Sequence, residues 1–250
     1  MFQSSTTRHR YHVDVGSCRV IFGSMFSRKS TTLRDEITTL ADIGLKVLYI
    51  NHSKDVRETE AQDRNITTHH SGFKGLSDKV TAIKIDQLSK VDVSNYDVIG
   101  IDEGQFFKNL DKVVRGWVLN HAKIVIVASL DGDFMMKPFG KAHKLICLCE
   151  PGDVVKLPAI CVKCMEHSLE HGKVIRVPAG FTAKFKIDLA ILESENYTQD
   201  DVGGKEKYLP VCMKCYQEHM ASFKEPIIAS INLDALDFKS VHELPVVQKH

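Results

Sequence analysis

Short apolar runs alternate with stretches of helical spacing as far as Pro151. Cys18–Phe22, Lys46–Ile50, Val80–Ile85, Val98–Ile101 and Ile124–Ala128 are brief and almost wholly apolar, the pattern of strands buried on both faces. Lys29–Ile43, closed by Gly44, and Asn109–His121 carry apolar residues at helical spacing. Buried strands separated by helices predict an α/β fold, a parallel sheet with helical crossovers. After Pro151 the alternation stops, and two Cys-x-x-Cys pairs bracket a long polar segment. Met1–Tyr11 is polar and lacks the apolar stretch of a secretory signal, and Ala221–His250 has no strong period. The expected divisions are a disordered tail over 1–15, a large domain over 16–150, a smaller one over 151–220 and a tail over 221–250.

The first chemical motif is Gly23-Ser24-Met25-Phe26-Ser27-Arg28-Lys29-Ser30. It follows a predicted strand and opens a predicted helix, where backbone N–H groups and the helix dipole favour phosphate. Lys29 is placed to neutralise β- and γ-phosphates, and Ser30 to offer its hydroxyl to Mg²⁺. The pattern has glycine before the lysine, which lets the backbone approach phosphate closely; this chain has Arg28, whose Cβ and guanidinium crowd that approach. The second motif, Asp102-Glu103-Gly104-Gln105-Phe106-Phe107, ends the predicted strand Val98–Ile101. A carboxylate there lies over the phosphate loop, so Asp102 can hold Mg²⁺ through water, and Glu103 can take a proton from an attacking hydroxyl. A similar strand end, Leu130-Asp131-Gly132-Asp133-Phe134, runs into Lys137-Pro138-Phe139-Gly140.

Composition narrows the classes. The 250 residues are 43% hydrophobic and 26% charged, so the chain is globular and long enough to bury a core without disulfides. Lysine plus arginine numbers 33 against 32 acids, which gives no basic excess for a nucleic-acid partner and leaves a zinc ribbon on an ATPase core the weaker alternative. No run is apolar enough to span a membrane. Of seven cysteines, Cys161, Cys164, Cys212 and Cys215 suit a tetrahedral structural Zn²⁺ site, all four positions being filled by protein. Cys18, Cys147 and Cys149 read as small core residues in strand-like runs.

Taken in this order, the motifs resemble the zinc-containing cytosolic thymidine kinases, over about residues 16–220. The resemblance implies a P-loop domain with a small zinc domain carrying a lasso loop over the nucleoside. It implies transfer of the γ-phosphate of ATP to the 5′-hydroxyl of thymidine or deoxyuridine. Glu103 matches the general base. Lys29, Ser30 and Asp102, with the rest of the 23–30 loop, match the ATP and Mg²⁺ positions. Asp55 and Arg57 in Lys54-Asp55-Val56-Arg57 match residues near the metal and the phosphates. Phe106 and Phe134, with Gln105 beside them, match the thymine border, Met25 and Leu130 its apolar walls, and Val202, Gly203, Gly204 and Tyr208 the lasso. The family further implies a homotetramer or homodimer, feedback by thymidine triphosphate and a cytoplasmic location.

This chain departs from the family at Ser24, usually proline, at Arg28, usually glycine, and at Met135 and Met136, usually polar and basic. The gap between Cys164 and Cys212 is also longer, with the excess expected within Ala179–Gln199, including Phe181–Phe185. Two readings stand: an active kinase that accommodates Arg28, and a kinase-derived nucleoside-binding or regulatory protein that transfers phosphate poorly.

Overall fold

The apolar runs pair side by side as parallel strands. The computed structural model describes residues 14–55, 76–187, 199, 203–204 and 206–230. Strands β1 (Ser17–Gly23), β2 (Val47–His52), β3 (Val80–Ile85), β4 (Val98–Ile101), β5 (Ile124–Ser129) and β6 (Val154–Leu157) form one sheet in the order β3-β2-β4-β5-β1-β6. Every neighbouring pair is parallel. The inner strands are buried on both faces because helices cover both. Along β5, Val125 and Val127 enter one core cluster while Ile124, Ile126 and Ala128 enter the other, as the two-residue repeat of a strand dictates.

Helix α1 (Lys29–Asp42) buries Leu33, Ile37, Leu40 and Ala41, a stripe on one face. Helix α2 (Leu110–His121) buries Leu110, Val114, Trp117 and Val118 at the same spacing, against the opposite face of the sheet. Each of the larger aliphatic side chains contributes about 1.5–3 kcal/mol on burial, more than the helix propensity of any one residue decides. Arg19 is the polar exception in β1. It is 6% exposed, with Nε 2.9 Å from the Glu36 carboxylate on α1 and Nη1 3.5 Å from Asp153, so its charge is compensated where it is buried.

Strand β6 lies beyond the break expected at Pro151, and the sheet therefore extends past residue 150 to Leu157. It is a short edge strand whose residues alternate between exposed and half-buried, so no apolar run marks it. Cys147 and Cys149 are not in a strand. The segment Ala142–Leu148 is a 3₁₀ helix that buries Ala142 and Leu145, and its three-residue repeat turns Cys147 out to solvent. Cys147 is exposed and Cys149 half-buried, while Cys18 is buried as expected.

The smaller lobe pairs β7 (Ala159–Ile160) with β8 (Pro178–Ala179), and β9 (Phe181–Lys184) with β10 (Tyr208–Val211), both antiparallel. Helices α3 (Val162–Glu170) and α4 (Met213–Ser230) follow β7 and β10. Phe181–Lys184, expected within an insertion, is thus a core strand, with Ala183 fully buried. Helix α4 continues through 221–230, into the stretch expected as tail. Within the described residues no helix is long and apolar enough to cross a membrane.

Ile37 is fully buried between α1 and the sheet. Ile37→Ala is expected to cost about 2–5 kcal/mol in equilibrium unfolding; a loss below about 1 kcal/mol would contradict this packing.

Candidate active site

The loop between β1 and α1 is built on unusual backbone. A Cβ at Gly23 would collide with the Leu157 carbonyl and the Ser27 side chain, so only glycine fits there. Phe26 and Arg28 adopt left-handed conformations, φ 63° and 66°, and Arg28 caps the start of α1. The glycine of the general pattern thus answers a conformational demand at position 28, not only a need for room at the phosphate. The Arg28 side chain is exposed on the rim of the cleft. Lys29 Nζ reaches back to donate to the Ser24 carbonyl at 2.8 Å. Ser27 Oγ is buried with no partner among the described residues, a hydroxyl left for an anion in the loop.

The sheet order sets the ends of β4, β5 and β1 side by side, which brings Asp102 under this loop. Asp102 is 2% exposed. Its Oδ1 accepts from Ser30 Oγ at 3.0 Å and from the Glu103 N–H at 2.9 Å, and its Oδ2 accepts from Tyr49 OH at 2.8 Å. Asp55, past the end of β2, is also buried and accepts from Asn51 Nδ2 at 3.2 Å; the Lys84 ammonium donates to its carbonyl. Asn51 Oδ1 is buried without a partner among the described residues. Ser30, Asp55, Asp102 and Glu103 offer oxygen donors alone, a set that fits Mg²⁺.

Glu103 is left-handed at φ 53°, which turns its side chain toward the cleft that it lines. The Gln105 amide donates to its carboxylate. Gln105 Oε1 in turn accepts from Ser129 Oγ at 3.2 Å and from the Leu130 N–H at 3.0 Å. Gln105, expected at the substrate, therefore also braces Glu103 against the end of β5.

Above these groups lies a cavity of about 250 Å³. Lys29, Ser30, Asp55 and Glu103 line it, as do Met25, Phe106, Leu130, Phe134, Gly203 and Tyr208. Phe106 meets Phe139 edge-on, centroids 5.7 Å apart, and a Cβ at Gly140, φ 67°, would strike the Gln105 backbone. Gly23, Ser24, Ser27 and Asp102 do not line this cavity; all four are buried. Gly204 also misses it, its N–H donating to the Glu206 carboxylate at 2.6 Å. Arg57 and Val202 lie outside the described residues.

Two cleft residues, Thr182 and Gln199, carried no motif, and Asp133 carried one without an assigned role. Thr182 Oγ1 on β9 accepts the Met25 N–H at 3.0 Å, and Ser24 Oγ donates to the Ala179 carbonyl at 3.3 Å, so the small lobe holds the phosphate loop directly. Asp133 Oδ1 accepts the N–H groups of Met135 and Lys137, both at 2.9 Å, and its Oδ2 accepts from Gln199 at 2.6 Å. Backbone groups make the first two bonds, which is why methionine is tolerated at position 135. Short apolar or mixed runs around Thr182 and Gln199 gave no sign of these contacts.

Each Cys-x-x-Cys pair sits at a strand-to-helix junction, with Cys161 before α3 and Cys212 before α4. The four Sγ atoms lie within 4.8 Å of one another. Cys164 Sγ is 3.8 Å from Cys212 Sγ and 3.4 Å from Cys215 Sγ, close to the ~3.8 Å edge of a tetrahedron with ~2.3 Å zinc–sulfur bonds. Burial pushes the Cys164 thiol up to about 11 and the Cys215 thiol higher still; a dication at the centre removes that penalty. The surrounding core mixes Ala159, Ala179 and Ala183 with Leu209, Val211 and Tyr216, and a metal bound at the four sulfurs would add to its stability. Tyr216 on α4 donates its hydroxyl to the Phe134 carbonyl at 2.8 Å; burial, then Asp133, raises its pKa and keeps it a donor.

The family profile described as Thymidine kinase matches residues 16–216. The chain belongs to the thymidine kinase family. It is 35% identical over 203 residues to the thymidine kinase of Yaba monkey tumor virus, covering 80% of this chain and 94% of that protein. It is 36% identical over 207 residues to the thymidine kinase of Choristoneura biennis entomopoxvirus, covering 81% and 97%. Thymidine kinase 1 of Dictyostelium discoideum is 34% identical over 201 residues, covering 80% and 78%. Family membership makes this chain a nucleoside kinase and implies use of ATP.

A strong chelator is expected to release about one zinc per chain and to melt the small lobe. Metal analysis of the purified protein checks this, and a chain that holds no zinc removes the assignment.

Proposed function

We propose that this chain transfers the γ-phosphoryl group of ATP to the 5′-hydroxyl of thymidine, or of deoxyuridine, giving the nucleoside monophosphate. The observation that carries the reading is that one cavity is lined both by Lys29, Ser30, Asp55 and Glu103 and by the apolar and aromatic residues Met25, Phe106, Leu130 and Phe134. In this reading Phe106 and Phe134 border the base, and Met25 and Leu130 give its methyl group an apolar wall. Glu103, braced by Gln105, takes the proton of the 5′-hydroxyl as that oxygen attacks phosphorus. The loop amides, the Lys29 ammonium and the start of α1 hold the phosphates in line. Asp102, Ser30 and Asp55 would hold Mg²⁺, which when bound neutralises charge on the phosphates. By the same kinship we propose a homotetramer or homodimer, feedback by thymidine triphosphate and a cytoplasmic location.

The competing reading, a nucleoside-binding relic, rests on Arg28. The left-handed backbone at that position keeps the loop path a glycine would give, at a cost of about 1–2 kcal/mol for an L-residue, and the side chain is exposed. This supports an active loop that carries local strain.

Glu103→Gln is expected to lower turnover by roughly 10²–10⁴ and to leave thymidine affinity nearly unchanged; thymidine-dependent ADP formation and direct thymidine binding measure the two, and equal losses in both would argue against a base. Arg28→Gly is expected to stabilise the chain by about 0.5–1 kcal/mol, strain relief being partly offset by glycine's chain entropy, seen as a rise of roughly 1–4 °C in melting temperature. A wild type without turnover, made active by Arg28→Gly, would establish the relic instead.

A further inference from the structure

Tyr49 is a polar group in an otherwise aliphatic position. It lies in the middle of β2, fully buried, packed in the cluster that holds Ile21, Leu33 and Val98. A buried phenol hydroxyl without partners is costly, and here its partners lead to the site. Its OH donates to Asp102 Oδ2 at 2.8 Å. It accepts from Arg34 of α1, whose Nε and Nη2 stand 3.3 and 3.1 Å away. Arg34 Nη2 is 3.9 Å from the same Asp102 oxygen, and its guanidinium carbon is 5.5 Å from the Tyr49 ring centre. Arg34 reaches Asp102 chiefly through the tyrosine.

Asp102 therefore has two differently used oxygens. Oδ1 faces Ser30 and the phosphate loop, and Oδ2 is tied back into the sheet. A carboxylate free to rotate about its terminal torsion samples a broad range; one anchored at Oδ2 presents Oδ1 in a fixed direction. We propose that Tyr49 and Arg34 are positioning residues for metal–nucleotide binding, holding Asp102 so that Oδ1 and Ser30 together receive the metal's water shell. The role rests on the reading of the cleft as a kinase site. Neither residue touches the cavity, so neither is a catalytic residue.

Tyr49→Phe removes one oxygen and keeps the packing volume. Calorimetric titration with ADP, with Mg²⁺ and with a chelator in its place, separates the outcomes. Wild type is expected to bind Mg-ADP more tightly than metal-free ADP. Tyr49→Phe is expected to weaken Mg-ADP about tenfold, the size of one lost hydrogen bond to a charged group, with metal-free ADP and thymidine affinities within about twofold of wild type. Arg34→Met should give a similar selective loss, and the double variant should lose little more than Tyr49→Phe alone, because the two act as one unit. A Tyr49→Phe chain that keeps the wild-type preference for Mg-ADP, or that loses affinity for ADP equally with and without metal, overturns the proposal. Additive losses in the double variant overturn the part assigned to Arg34. A wild type that shows no preference for Mg-ADP removes the reading of the cleft itself, and the proposal with it.

Discussion

Between the last residue of β1 and the first turn of α1 the chain has five residues in which to turn from strand to helix. That constraint governs the rest. It fixes glycine at position 23, where the Leu157 carbonyl of the neighbouring strand and Ser27 leave no space for a side chain. It forces left-handed backbone at Phe26 and Arg28. It also makes the neighbours necessary: a loop of strained residues keeps its shape only where its surroundings determine it. Ser24 and Met25 are held by Ala179 and Thr182 from the small lobe, and Ser30 is tied to Asp102.

The small lobe is thus one wall of the cleft, and its own stability rests on an unusual basis. Its buried side chains are mainly alanine, cysteine and a few larger residues such as Leu209 and Tyr216, too little apolar volume to hold four short strands and two helix ends by burial alone. A metal ion held by the four clustered sulfur atoms would provide the remaining tie. His219 adds a polar pin: its Nδ1 lies 3.1 Å from the Lys163 ammonium, which can only donate, so Nε2 carries the proton and donates to the Lys184 carbonyl at 2.8 Å.

The central sheet was legible in sequence because strands buried on both faces leave no polar alternation, as in Ile124–Ala128. Both helices were legible because their apolar stripes repeat without interruption. β6 was hidden, since an edge strand with Lys156 at its third position has neither pattern. That Asp102 and Glu103 end a strand beside the loop, and that the cysteine pairs belong together, could be read from residue type and spacing. The tie of Gln105 to Ser129 and Leu130, and the bracing of Asp102 by Tyr49 and Arg34, could not: these partners are far apart along the chain and meet because β2, β4 and β5 lie side by side and α1 packs on them. Arg28 was read as a question of space; the backbone angle that gives the position its meaning exists only in three dimensions.

The contacts of Thr182 with the loop and of Tyr216 with Phe134 have a thermodynamic corollary. Both hydrogen bonds join the lobe that carries the sulfur cluster to residues that line the cavity, Met25 and Phe134. Whatever free energy they transmit runs equally in both directions, since coupling between two binding equilibria is reciprocal. With a metal ion in the cluster and a ligand in the cavity, filling the cavity would make the ion harder to strip by the same factor by which the ion tightens the cavity. Metal supply and ligand supply would then bear on one shared equilibrium.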